Sequence, residues 1–583
     1  MDAGDDDGGV VHVEGTLAID PPMTEVTVEN GAPATVTYTA TLALPDGTHQ
    51  DVTADTRFQI DPMVGSFATN RLTVTAAAKT KVVAAYADKA AFGDLTARIH
   101  TVRVDPALPS GAPALFDHPD DAALAPQIVY PPAGTVMPRN LGDFEIHWTD
   151  GHSQDVFEVS LHTELSDVKV YVPGGNGDAM TGPHPSWSAF SSAEWLAAVG
   201  AAGQVTFRVR GAVTTAPGAV GGGPARTAQL SNEIMDGGLY YWANATSVGD
   251  PIPLGIFRHD MKKPGQPVEQ YITTTQTAGR CVACHVLSRD GKKMAITFQD
   301  PDPANPPSGL LPPGPATTVD VETKAITPQT QRWNFATFTP DDAQLLSVDQ
   351  GKLVVRDAQT QQILTTMTVD PPTLRVTHPD LSPDGKQLLY VRIVAPDSDF
   401  QFSNGKIFRR SYDAASHTFG PEIPLVTDAG NNFYPTWSPD GAWVLFNRTT
   451  GGTSYDNNNA APWVIKADGT MPPVLLGNAT IALSTDSWPR WAPFPQTLGD
   501  AKQPMFWITM SSKRDFGVRR KNTGLPQRGS TGKRAQIWMT PFFPAQAALG
   551  EDPSAPAFRL PFQSLASSNH IAQWTERVVD VIQ

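Results

Sequence analysis

With 583 residues the chain exceeds a single ordinary core, so two to four domains are expected. A formal net charge of −16 argues against nucleic acid, whose phosphates require a basic surface. Charged residues make up only 17% while Gly and Pro number 48 and 53, which suits turn-rich β structure rather than helical bundles. No apolar run approaches the roughly eighteen residues that a membrane-spanning helix needs.

Residues 1–13, beginning Met1-Asp2-Ala3-Gly4-Asp5-Asp6-Asp7, read as a flexible acidic tether, as left when an export signal has been trimmed. Residues 14–105 alternate apolar and polar side chains in short runs such as Glu25-Val26-Thr27-Val28 and Arg71-Leu72-Thr73-Val74-Thr75. Turn signals such as Pro45-Asp46-Gly47 separate these runs, the pattern of a half-buried β-sandwich. With its Asp51-Val52-Thr53-Ala54-Asp55-Thr56 element, the segment resembles bacterial immunoglobulin-like domains, which implies a spacer or adhesive module. Residues 106–125, rich in Pro, Ala and Asp, read as a linker. A second sandwich is expected over 126–235, opening with Tyr130-Pro131-Pro132-Ala133-Gly134 and Phe144-Glu145-Ile146-His147-Trp148, similar to a fibronectin-type start. Its one helix is expected over 192–201.

Residues 236–583 carry an internal repeat. His378-Pro379-Asp380-Leu381-Ser382-Pro383-Asp384-Gly385 and Tyr434-Pro435-Thr436-Trp437-Ser438-Pro439-Asp440-Gly441 each precede an apolar strand. Weaker copies surround Pro340 and Pro493, and the four prolines are spaced by 43, 56 and 54 residues. That spacing, with several short strands per unit, is expected of β-propeller blades. In each turn proline sets φ, the aspartate caps, and glycine takes the positive-φ place. These repeats resemble the TolB-type propeller family. The fold class expected is therefore all-β: two N-terminal β-sandwich domains, Ig-like and fibronectin-like, followed by a propeller of about six blades.

Cys281-Val282-Ala283-Cys284-His285 contains the chain's only two cysteines. Cys-x-x-Cys-His is the attachment pattern of c-type haem: each thiol adds to one vinyl group and the histidine becomes the proximal iron ligand. A thiol–disulfide couple and a zinc site are the alternatives. The former is usual at a helix start in a βαβ setting, and the latter wants a second pair of ligands. The preferred reading is one covalently attached haem c held by Cys281, Cys284 and His285. Aligned with the repeat, Cys284 falls on His378, His285 on Pro379, Leu287 on Leu381 and Gly291 on Gly385. The motif thus lies inside an early blade, unlike an ordinary helical cytochrome.

For the sixth iron position His570, in the last blade and brought beside the motif by ring closure, ranks first. Met294 is nearer in sequence but shares a strand face with Ile296 and Phe298; His259, Met261 and His378 are further alternatives. Pro301 to Ala316 reads as a stiff exposed loop.

Three functions follow as expectations. The first is an exported single-haem electron-transfer protein of the periplasm or cell surface. Its partner would be a redox protein or a small-molecule electron donor or acceptor, and an N-terminal lipid would serve as anchor. The second is a haem-dependent peroxidase or oxidase, assisted by Arg280 or Arg289. The third is a propeller binding or scaffold protein with structural or sensory haem.

Overall fold

The computed structural model describes residues 12–245, 254–277, 279–299, 315–327, 331–394, 397–525 and 532–580. Residues 1–11 of the tether expected over 1–13 and most of the proline-dense loop lie outside the described residues. The structure is all-β and divides into two compact units: 1–129 with 144–230, and 130–143 with 231–583.

In the first unit, the strand Lys89–Val104 alternates buried and exposed side chains over most of its length, as a half-buried strand must. It pairs antiparallel with Ala78–Tyr86 and parallel with both Met23–Glu29 and Ser166–Pro173. One continuous sheet therefore runs from Arg57–Gln59 through to Asp120–Asp121, joining the segments on either side of residues 106–125. The helix Ser192–Val199 starts with a full capping box, in which Ser191 and Glu194 satisfy each other's backbone N–H groups.

Among the described residues, the second unit contains six mostly four-stranded antiparallel sheets. The first pairs Glu269–Thr273, Gly255–Asp260 and Gly238–Ala245 with the last strand of the chain, Ser567–Thr575. The second begins with Cys281–Leu287, the third with Ala336–Phe338, the fourth with Leu374–Leu381, the fifth with Asn431–Trp437 and the sixth with Ser487–Trp491. Each of these leading strands packs beside the next, and Ser567–Thr575 packs beside both Ser487–Trp491 and Cys281–Leu287. His570 was expected in the last blade. Its strand belongs instead to the first sheet, because residues 567–575 complete that sheet rather than the sixth.

The repeated turns have the chemistry read from the sequence. Asp384 accepts from the Ser382 hydroxyl at 2.6 Å and from the Lys386 N–H at 3.1 Å, and the Ser382 hydroxyl in turn accepts from the Gln387 N–H at 2.9 Å. Ser438 with Asp440, and Ser288 with Asp290, repeat this set. Gly291, Gly385 and Gly441 adopt φ of +76°, +71° and +70°. In the third sheet Thr339 and Asp341 make the same bonds, but Asp342 occupies the glycine place at φ +59°. That left-handed backbone is costly for a residue with a Cβ.

Candidate functional site

The turns set the register of what precedes them. Val282 pairs with Phe298 and Leu287 with Met294, just as Val376 pairs with Arg392 and Leu381 with Leu388. Between these pairs the ladder slips in both strands, a β-bulge that also interrupts Asn431–Trp437, Ser487–Trp491 and the pairing of Ser567–Thr575. Four residues ahead of the turns stand Cys284, Phe335, His378, Tyr434 and Trp488, and Ile571 lies in the irregular pairing of Ser567–Thr575. His378, Tyr434, Trp488 and Ile571 all hold positive φ, between +47° and +58°, so the bulge re-aims their side chains.

Cys284, Phe335, Tyr434, Trp488 and Ile571 meet in one apolar cluster, and the His378 ring packs against Phe335 and Tyr434. Tyr434 stacks on Trp488 with ring centroids 3.9 Å apart, His378 lies 4.3 Å from Tyr434, and Phe335 meets His378 edge-on at 4.2 Å. Two residues further along each strand, the equivalent places hold Val286, Thr337, Asp380, Thr436, Arg490 and Gln573, a more polar set. A cavity with about 470 Å³ of empty space, part of it open to solvent, is lined by members of both sets, among them Cys284, His378, Tyr434 and Arg490, and by His285. Repeat alignment alone would have found these residues, had each copy been read four and two places ahead of its turn.

Both thiols are free. Burial pushes Cys281 up to about 11, and burial with the nearby Asp399 charge pushes Cys284 up to about 12. A catalytic dithiol works through a thiolate of depressed pKa, so this setting is opposite to what the redox-couple alternative requires. His285 is buried at 4% exposure and pairs with Ile296 in the ladder.

His570 pairs across the sheet with Trp242, and its ring meets the indole edge-on at 4.5 Å. Its pKa is pushed down to about 3, by burial first and then by the Lys513 charge, with Asp456 opposing and His285 adding. His570 is therefore neutral at physiological pH, and it stands close enough to His285 to feel its charge. Lys513 and Asp456 form an ion pair in the same surroundings.

The other residues singled out from sequence fall elsewhere. Met294 is fully buried in the core cluster with Leu287, Ile296 and Val319, as a packing residue. His259 stacks on Phe562 at 4.1 Å, and burial lowers its pKa to about 4. Met261 is buried, with its backbone carbonyl accepting from Asn140 at 2.8 Å. Arg280 lies over the Phe298 ring at 4.3 Å. Arg289 pairs with Glu576 at 3.2 Å and lines a second cavity with Asp380 and Trp437. His378 does line the first cavity, but its Nδ1 accepts the Tyr434 N–H at 3.3 Å.

The donor set suits a covalent haem. Two protonated free thiols stand three positions apart around a bulge, His285 follows directly, and the neutral imidazole of His570 lies near it.

No family model matches the chain, and no curated protein matches it. Among solved structures it is similar to a protein assigned as TolB from Agrobacterium tumefaciens, at 14% identity, over 59% of this chain and 99% of that one, with a TM-score of 0.30. A nidogen/laminin complex matches at 9% identity, over 58% of this chain and 100% of that one, with a TM-score of 0.34. A prolyl endopeptidase structure matches at 12% identity, over 56% of this chain and 49% of that one, with a TM-score of 0.29.

Proposed function

We infer that this chain is an exported single-haem c-type cytochrome that transfers electrons, its haem carried on a six-bladed β-propeller of TolB type behind two N-terminal sandwich domains of Ig-like and fibronectin-like kind. The observation that carries this reading is the Cys281-x-x-Cys284-His285 run, made from the chain's only cysteines, on a strand that packs beside the strand of His570. The haem, when bound, supplies a one-electron iron couple.

The chain's own residues have distinct parts. Cys281 and Cys284 would hold the group through two thioether links, and His285 and His570 would each offer an imidazole to the iron. Burial keeps His570 neutral, so its lone pair stays available over the whole physiological range. The aromatic residues Phe335, Tyr434 and Trp488 pack in one apolar cluster with Cys284. Two protein ligands favour electron transfer over peroxidase or oxidase chemistry, which needs an open iron position. The partner is a redox protein or a small electron donor or acceptor in the periplasm or at the cell surface, where c-type haem is attached; an N-terminal lipid is the anchor this reading favours.

The decisive experiment is an absorption spectrum of the full chain purified after export, with its mass measured under denaturing conditions. Covalent haem in a six-coordinate low-spin state is expected. A high-spin haem that binds added ligands and turns over peroxide would move the reading to an oxidase or peroxidase. A properly exported chain without covalent haem would overturn it.

A further inference from the structure

The cavity at the ring's centre has a polar character that the haem motif does not explain. Its lining contains no carboxylate among the described residues, but it does contain Arg490, His378 and Tyr434. His378 is 4% exposed and Tyr434 1% exposed. The Nε2 of His378 and the hydroxyl of Tyr434 are buried without a hydrogen-bond partner among the described residues.

The tautomer of His378 follows from its one bond. Its Nδ1 accepts the Tyr434 backbone N–H, so that nitrogen carries no proton. Burial and the Arg490 charge hold the imidazole neutral, which leaves the single proton on Nε2. Nε2 is thus a donor and offers no lone pair to iron, which removes His378 from the axial alternatives.

Arg490 adds charge to these donors. Its Nε donates to Gln573 Oε1 at 3.4 Å and its Nη1 to the Pro489 carbonyl at 3.0 Å. No carboxylate lies within ion-pairing distance of its guanidinium among the described residues. Asp380, the acid whose field Arg490 feels, is not in this lining; it lines the second cavity, which Arg490 also borders, and accepts the Trp437 N–H at 2.8 Å. Arg490 also perturbs both His378 and Tyr434, so the three groups share one neighbourhood.

We propose that this cavity is a binding site for a small monovalent anion, held by the His378 Nε2–H, the Tyr434 hydroxyl and the Arg490 guanidinium. A half-buried cation with two buried, unsatisfied donors beside it is complementary to one negative charge with several acceptor oxygens. The donors lie outside the haem motif, but Cys284 and His285 line the same cavity, so the anion site is one of the chain before its thiols carry a group.

Sodium nitrate is a suitable probe, having the right size and charge and little tendency to coordinate haem iron. Titrated calorimetrically into the full chain produced without haem attachment, in chloride-free buffer, it should bind with one-to-one stoichiometry and raise the melting temperature. Arg490→Gln and His378→Phe should weaken binding by about tenfold or more, the effect of removing a charged or buried hydrogen-bond partner. Tyr434→Phe keeps the ring stack and loses only the hydroxyl, so it tests the site even if the other variants fold poorly; it should weaken nitrate without lowering the nitrate-free melting temperature. Absence of saturable binding to the wild-type chain by both nitrate and formate overturns the proposal. So does unchanged affinity in the variants, which would place the anion on another surface. A properly exported chain lacking covalent haem but binding nitrate would leave the anion site standing and remove only the cytochrome reading.

Discussion

Cys284 and His378 occupy the same place in two different sheets, each within the bulge that interrupts its strand and each facing the same cavity. One sheet uses that place to present a thiol, the other to present an N–H donor. The bulge therefore turns a repeated structural position into a set of chemically different groups, and substitutions there separate attachment, coordination and packing.

Replacement of Cys281 and Cys284 together by Ala should abolish covalent haem while leaving the repeat turns intact. The measurement is the mass of the exported chain under denaturing conditions, with a far-UV spectrum to confirm β structure. Haem retained in the double variant would exclude the thioether attachment.

His570→Ala should convert a low-spin spectrum to a high-spin or ligand-accepting one without loss of the covalent group. Met294→Leu should leave the spectrum unchanged, since Met294 packs in the core with Leu287 and Val319. An unaltered low-spin spectrum in His570→Ala excludes it as the sixth ligand.

Asp342 predicts a pH dependence of stability. Burial and the neighbouring Asp290 carboxylate raise its pKa to about 7. Because the folded pKa lies above the unfolded one, the stability it contributes is full below about pH 4 and is lost as pH rises through about 7. Asp290 is depressed and acts in the opposite sense, but only where pH falls below the ordinary carboxylate range. Asp342→Asn keeps the neutral form throughout, so its melting temperature should match wild type near pH 4 and exceed it by a growing margin up to pH 8. Parallel melting curves would reveal that Asp342 is ionised in the fold throughout.

Trp488 joins the aromatic layer by stacking on Tyr434. Trp488→Ala should cost about 3–5 kcal/mol through lost burial and the cavity left behind. Denaturant unfolding is the check, and a loss below about 1 kcal/mol would mean that the layer relaxes into the gap.

Asp384→Ala removes the group that caps both the Ser382 hydroxyl and the Lys386 N–H. A loss of about 1 kcal/mol is expected, with no change in the spectrum of any bound group. A spectral change would tie this turn to the site.

The turn aspartates and glycines, the alternating strands and the Cys-x-x-Cys-His run were legible because each is specified within a few neighbouring residues. Serine, proline, aspartate and glycine make their bonds inside one turn, so Ser382 to Gly385 announces its geometry without reference to the rest of the chain. Other features depend on strands far apart in sequence. Pairing of Ser567–Thr575 with Gly238–Ala245 carries His570 to the first sheet and toward His285. Packing of the leading strands around one another brings Phe335, His378, Tyr434 and Trp488 into a single layer, with Arg490 beside it. The continuous sheet through Lys89–Val104 was likewise invisible, since a parallel pairing leaves no local mark on the strand that joins it. Local hydrogen bonding thus determined the turns and the motif, whereas long-range strand pairing and the bulges decided which side chains face one another.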